Sequence, residues 1–218
     1  MIPVAAQAIG KSESFLSYYL RDRGGVVDRA IKLTSLSRVL SELGAKGGGG
    51  QAPHLVCFDD VICSGGSMIK ALVDDNPNKG IVVEGLRKGT LKISIVVSIA
   101  SHEGINNILK SPPLAGIAVV ASRVIQARDE VFAPDSVVIP ESARKRMFRD
   151  FCVRLGEQIY DRNNPLGWGS RFGWCIALDY TVPNMTVPII FQEGSASCEW
   201  HPLFPRSRTI APLTARRV

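Results

Sequence analysis

The stretch "HLVCFDDVICSGGSM", residues 54–68, sets the fold and the chemistry together. Five apolar or weakly polar residues lead directly into Asp59 and Asp60. Two further apolar residues follow, and then the small run Cys63-Ser64-Gly65-Gly66-Ser67. A short continuous apolar run is what a strand buried on both faces of a parallel sheet requires. Paired carboxylates do nothing for such a strand energetically. In a parallel α/β sheet, ligands sit beyond the carboxyl ends of the strands, and the acids are read as lying at such an end. "SMIKALVDD", residues 67–75, restarts with helical spacing. The small residues therefore fall between a strand and a helix N-terminus, where backbone N–H groups and the helix dipole favour an anion. Cys63, Ser64, Gly65, Gly66 and Ser67 form a candidate phosphate cradle, with the two serine hydroxyls as added donors. The carboxylates repel a phosphate but accept hydrogen bonds well from the hydroxyls of a ribose one sugar-length away. Asp59 and Asp60 are thus candidate ribose-holding residues and candidate ligands for a magnesium ion shared with the substrate. The competing assignment is a surface turn with two solvated aspartates.

Outward from this stretch, strand and helix patterns alternate. "KISIVVSIAS" (92–101) and "AGIAVVAS" (115–122) read as strands, with a short helix over "HEGINNILKS" between them. Residues 28–44 carry apolar residues near a 3.6 period before Gly44 and predict a helix. Residues 12–24 lean to helix, and the glycines at 47–50 mark a hinge. Residues 140–160 predict the longest helix. Pro140 starts it, and Met147, Phe148, Phe151, Cys152 and Leu155 mark its buried side. The expected fold class is α/β, a mainly parallel sheet flanked by helices, with a small C-terminal hood. The expected division is a core over 1–160, a hood or β element over 161–206 and a basic tail over 207–218.

The 218 residues are 45% hydrophobic and 21% charged, with a formal net charge of +6. That balance suits a globular domain with a sizeable core and a polyanionic ligand, without choosing among sugar phosphate, nucleotide and nucleic acid. No apolar run approaches the roughly 20 residues of a bilayer span. The first residues lack the pattern of a secretory signal. Five scattered cysteines and three histidines have no zinc spacing. They predict reduced thiols and a cytoplasmic protein, with Cys57, Cys152 and Cys175 in apolar contexts. A Walker A loop is excluded because no lysine follows the glycines at the required place, and G-x-G-x-x-G is absent. Arg144, Lys145, Arg146, Arg149 and Arg154 form a basic set on one helix. A solvated face and a nucleic-acid contact are the two assignments. Trp168, Trp174 and Trp200 are expected to pack the hood.

Hydrophobic run, Asp-Asp, two apolar residues and a Ser-Gly loop together resemble the PRPP-binding signature of type I phosphoribosyltransferases. Further downstream, "PLGWG" (165–169), "TVPNMTVPIIF" (181–191) and "WHPLFPR" (200–206) resemble the C-terminal signature of one branch, the PRTase-CE family associated with biological conflict systems. "GKSESFLSYYLR" resembles that family's pyrophosphate-side segment. The resemblance implies a type I phosphoribosyltransferase-like fold and a PRPP or nucleotide-like ligand with Mg2+. It also implies a place in antiphage defence, in some relatives beside a retron reverse transcriptase. Lys11 either neutralises a departing pyrophosphate or is a plain solvated lysine. Asn184 and Thr186, between two prolines, are placed to read a base edge, or else form a plain turn. Arg206 is a phosphate clamp or a core-edge cap. The partners expected are that small molecule, a defence-system protein and further copies of the chain, with nucleic acid as an additional candidate and no membrane. Three functions stay open: a phosphoribosyltransferase, an inactive nucleotide sensor or effector, and a nucleic-acid binder that reuses the fold. Two departures bear on turnover. The family's K-S-G is Lys11-Ser12-Glu13 here, and one asparagine of its N-T-P-N-N-T-L-P is lost.

Overall fold

β-Branched residues dominate the segment Lys92–Ser101, and it forms the longest strand of a fully parallel sheet. A computed structural model describes residues 2–5, 31–32, 52–74, 76, 79–169, 173–178 and 182–205, the first two segments as backbone. The strands are β1 (Ile2–Ala5), β2 (Ile31–Lys32), β3 (His54–Ile62), β4 (Lys92–Ser101) and β5 (Ala118–Ile125), in the spatial order β2-β1-β3-β4-β5. The chain thus runs outward to one side from β1 to β2, then returns to lay β3, β4 and β5 on the other. The order reverses between β1 and β3. The crevice outside the carboxyl ends at such a reversal is where open α/β sheets bind ligands.

Register fixes which residues share a face. Leu55 pairs with Ile93, Cys57 with Ile95 and Asp59 with Val97. With a two-residue period, Leu55, Cys57, Ile93, Ile95 and Val97 form one buried row, each at most 3% exposed. Met68, Leu72, Val82, Ile108 and Leu114 pack into the same core. They come from helix α1 (Gly66–Ile69) and the π-helical turn Lys70–Asp74, from helices α2 (Lys79–Arg87) and α3 (His102–Leu109), and from the 3-10 turn Pro112–Leu114. Parallel neighbours need crossover connections; α1 and α2 lie on the one from β3 to β4, and α3 on the one from β4 to β5.

The chain divides into two compact units, Met1–Ile125 and Gln126–Val218. The break therefore falls well before the expected boundary at 160, and the long helix α4 (Ser142–Ile159) belongs with the C-terminal segment. That second unit has its own core, in which Cys152 and Ile159 of α4 meet Val131, Phe132, Leu166, Val187 and Ile189. Among its described residues the hood holds isolated bridges, Trp174↔Thr186 and Ser195↔Cys198, and a 3-10 turn at Pro188–Ile190, in place of the expected β element.

Other expectations are corrected. Ile31–Lys32 is a strand beside β1, paired in parallel with Val4 and Ala5, where helix was expected; the rest of the helix expected over 28–44 lies outside the described residues. β5 begins at Ala118 because Gly116, at φ 88°, turns the chain first. α2 was not anticipated. On α4, Met147 is 73% exposed, and Phe148 and Phe151 are exposed as well. Cys152 is buried as expected and Leu155 packs partly buried against the same core, and the helix also buries Lys145, Gly156 and Ile159. Gly156 lies so close to the Pro165 carbonyl that a Cβ would overlap it, which places the helix against the chain that follows. No helix among the described residues is long and apolar enough to cross a membrane.

Candidate functional site

Asp59 and Asp60 lie inside β3 and not at its end, since the β4 ladder continues through Val61↔Ile99 and Ile62↔Ala100. Among the described residues the β1 ladder reaches Ala5↔Phe58. The two acids therefore occupy the carboxyl half of β3, the strand beside which strand order reverses. Both are half-buried. Each carboxylate accepts a hydrogen bond from the next backbone N–H, Asp60 N to Asp59 Oδ1 and Val61 N to Asp60 Oδ1, both at 2.9 Å. These bonds fix carboxylate positions at the carboxyl half of the strand. Strand alternation gives Asp59 the face of Cys57 and Asp60 the other. Burial pushes the Cys57 thiol up to about 12, and the neighbouring Asp59 carboxylate adds to the rise. Cys57 is thus a protonated packing residue.

The loop after β3 is held from outside. Gly65 adopts φ 76°, a left-handed conformation natural to glycine. A Cβ there would sit 2.6 Å from the Gly104 carbonyl and 2.8 Å from Ile108. A Cβ on Gly104 would in turn overlap the Cys63 carbonyl. This close fit of loop to α3 requires both glycines. Ser101, buried at the end of β4, bridges the two elements. Its hydroxyl accepts from Gly104 N at 2.7 Å, capping α3, and donates to the Cys63 carbonyl. Asn107 Nδ2 donates to the Ser64 carbonyl at 3.0 Å, and Ile69 N to the Gly65 carbonyl at 3.0 Å. Three successive loop carbonyls are thereby engaged. Ser64, Gly66 and Ser67 are exposed. Ser101, Gly104 and Asn107 were not singled out from the sequence. The one available signal was Ser101 as an N-cap, followed by Glu103 in the first helical turn.

The remaining candidates divide. Asn184 and Thr186 lie in the second unit. Thr186 is fully buried and its hydroxyl donates to the Ile176 carbonyl at 2.7 Å, so it holds the hood together. Asn184 is exposed, and its carbonyl accepts from Trp168 N at 2.8 Å. Gly167, at φ 106°, would place a Cβ within 2.9 Å of the carbonyls of Asn184, Met185 and Thr186. "PLGWG" and "PNMT" are thus two halves of one backbone-bonded element. Trp174 is buried and Trp200 donates to the Ile189 carbonyl at 2.9 Å, whereas Trp168 is 60% exposed. Cys175 is exposed, contrary to its apolar context in sequence. Lys145 leaves the basic set on α4, because its ammonium is buried against the carbonyls of Ala133 and Pro134. Arg144, Arg146, Arg149 and Arg154 are exposed. Lys11 and Arg206 lie outside the described residues.

The comparison with known families identifies the family. The model of the family described as PRTase-CE matches residues 2–206, almost the whole chain. The chain belongs to the PRTase-CE family. No curated protein matches it. As a PRTase-CE protein it carries the family's phosphoribosyltransferase-like designation on an α/β fold with a parallel sheet. The matched span of this PRTase-CE chain takes in the Asp59-Asp60 strand, the 63–67 loop and the whole backbone-bonded hood.

Proposed function

We propose that this PRTase-CE chain binds a phosphorylated ribose, PRPP or a related nucleotide, at the carboxyl half of β3. The observation that carries this is the placement of Asp59, Asp60 and the 63–67 loop together beside the strand-order reversal of a parallel sheet. The two acids stand on opposite faces of β3, so the ribose hydroxyls are held from one face by one of them, and the loop amides with Ser64 and Ser67 seat the 5′-phosphate. Charge-assisted hydrogen bonds of this kind contribute roughly 1.5–3 kcal/mol each. Asp59 and Asp60 stand on opposite faces of β3, so one carboxylate at a time can reach an ion, and the described residues hold no group of three metal-ligating side chains. That donor set fits a magnesium ion shared with the ligand's phosphates, which neutralises their charge, better than a metal cage of the protein's own.

Turnover requires no enzyme nucleophile. The C1′–O bond to pyrophosphate breaks, an acceptor nitrogen forms the new C1′–N bond, and the nitrogen gives up its proton. The carboxylates favour the cationic ribose that develops between these events, and positioning supplies the rest. Lys11 assists the departing pyrophosphate. A sensor or effector without turnover is the second reading, favoured by Glu13 where relatives keep a glycine, since its charge opposes a pyrophosphate. The cellular setting we propose is antiphage defence in the cytoplasm, as an oligomer with a protein partner such as a reverse transcriptase.

Incubation with PRPP and magnesium separates the two readings. Pyrophosphate release that Asp60→Asn abolishes supports the transferase. Saturable PRPP binding without release supports the sensor. Absence of PRPP binding, together with salt-sensitive binding of DNA or RNA that survives Asp59→Asn, overturns both in favour of a nucleic-acid binder.

A further inference from the structure

The structure assigns to α3 and its cap a role in the site: Ser101 and Asn107 are positioning residues that turn the 63–67 loop into a donor surface. This rests on the phosphate-seat reading above and adds to it what makes the seat selective for an anion. A loop of small residues has no inherent polarity, because its peptide units present carbonyls as readily as amides. Here the Cys63 carbonyl is taken by the Ser101 hydroxyl and the Ser64 carbonyl by Asn107. The Gly65 carbonyl is taken by Ile69 N. In a trans peptide the C=O and the following N–H point in opposite directions. Drawing the Cys63 and Ser64 carbonyls to α3 and its cap therefore aims the N–H groups of Ser64 and Gly65 away from α3, and the Gly65 carbonyl, taken along the axis of α1 by Ile69 N, leaves the Gly66 N–H at the open N-terminal end of that helix. Successive amides aimed alike form a concavity that binds anions. The Gly66 N–H has only a long contact, 3.4 Å, to the Ser64 hydroxyl.

Gly65 and Gly104 fit the same account. Their missing side chains let the loop lie against α3 closely enough for both clamps to reach. Ser101 has a second task as the N-cap of α3, so its loss costs helix stability too. Asn107 is exposed and serves the loop alone, which makes it the cleaner probe.

The test uses the full chain and ribose 5-phosphate as the probe, read by calorimetry and by the amide NMR signals of Gly65 and Gly66. In the unsubstituted protein those two signals shift on titration. Asn107→Ala weakens binding about fivefold and Ser101→Ala about tenfold, as expected for losing one and two hydrogen bonds. Ser101→Thr, which keeps the hydroxyl, restores most of the affinity. If Gly65 and Gly66 shift but Asn107→Ala binds as tightly as the parent, the clamp is refuted while the phosphate seat stands. A lowered melting temperature with unchanged affinity also refutes the clamp, since it leaves these residues a merely structural role. If neither glycine signal moves in the unsubstituted protein, the seat itself is wrong and the clamp falls with it.

Discussion

Thiol chemistry separates the cysteines at the scale of single residues. Burial raises both Cys57 and Cys152 from an ordinary 9.0 to about 12, with the Asp59 carboxylate adding to the effect on Cys57. Only the thiolate reacts with disulfide reagents, so both are expected to be silent in the native protein while exposed Cys175 labels within minutes. The same shifts set an alkaline limit. Between pH 9 and 12 the unfolded chain releases protons that the folded chain keeps, so unfolding is proton-releasing and rising pH favours it. Stability from these two groups is complete below pH 9 and declines steadily above it. Denaturant midpoints measured from pH 8 to 11 should fall, and Cys57→Ser with Cys152→Ser should flatten the slope. Rapid native labelling of Cys57 would contradict the buried assignment. The Asp59-Asp60 pair was legible from sequence because two acids after an apolar run have no structural purpose. Ser101 and Asn107 were not, because a hydroxyl and an amide that act on backbone 38 and 43 residues away leave no local pattern.

Among elements, the long helix shows how packing and local period part company. Met147, Phe148 and Phe151 follow helical spacing, yet they stand exposed, the two phenylalanines in a ladder that runs from Phe132 through Phe148 and Phe151 to Trp200, with ring centroids 5.8 to 6.4 Å apart. The buried side joins Cys152 and Ile159 to Gly156, which has no apolar signal, and Lys145, whose signal is opposite. Lys145 Nζ donates to the Ala133 and Pro134 carbonyls at 2.6 and 2.8 Å, tying the first turns of α4 to the chain before it. Lys145→Met removes both bonds from buried acceptors and should cost about 2–3 kcal/mol, read as a lower denaturant midpoint. Arg146→Met, one residue on and exposed, should change it by less than about 0.5 kcal/mol. Equal effects would show that Lys145 contributes only charge. α2 escaped the sequence for a related reason. Gly80 and Gly85 weaken its pattern, yet a Cβ on Gly85 would come within 2.8 Å of Leu91, so the second glycine is there for contact. β4 was legible because a strand buried by the helices needs no alternation to be recognised.

For the whole molecule, two cores decide how the chain opens. Leu72, fully buried, belongs to the cluster under the parallel sheet, and Val187, 1% exposed, to the cluster between α4 and the hood. Neither cluster draws residues from the other unit. The division at Ile125 was invisible in sequence, because "QARDE" after β5 has no linker composition and α4 reads as one more flanking helix. Truncating a fully buried leucine to alanine costs about 2–5 kcal/mol through lost transfer energy and the cavity left behind, and Val187→Ala removes less. Native amide exchange reports local opening in cooperative blocks. Leu72→Ala should speed exchange chiefly in β3, β4 and α3, with residues 142–159 and 182–191 changed far less. Val187→Ala should give the converse pattern. The outcome matters for the site, because Asp59, Asp60 and the 63–67 loop all sit in the first block. Val187→Ala should therefore leave ribose 5-phosphate binding near its original strength, whereas Leu72→Ala, in the π-helical turn that follows the loop, should weaken it. Uniform loss of protection across both blocks in either variant would mean that the units unfold as one. The hood would then stabilise the ligand seat as much as the sheet does.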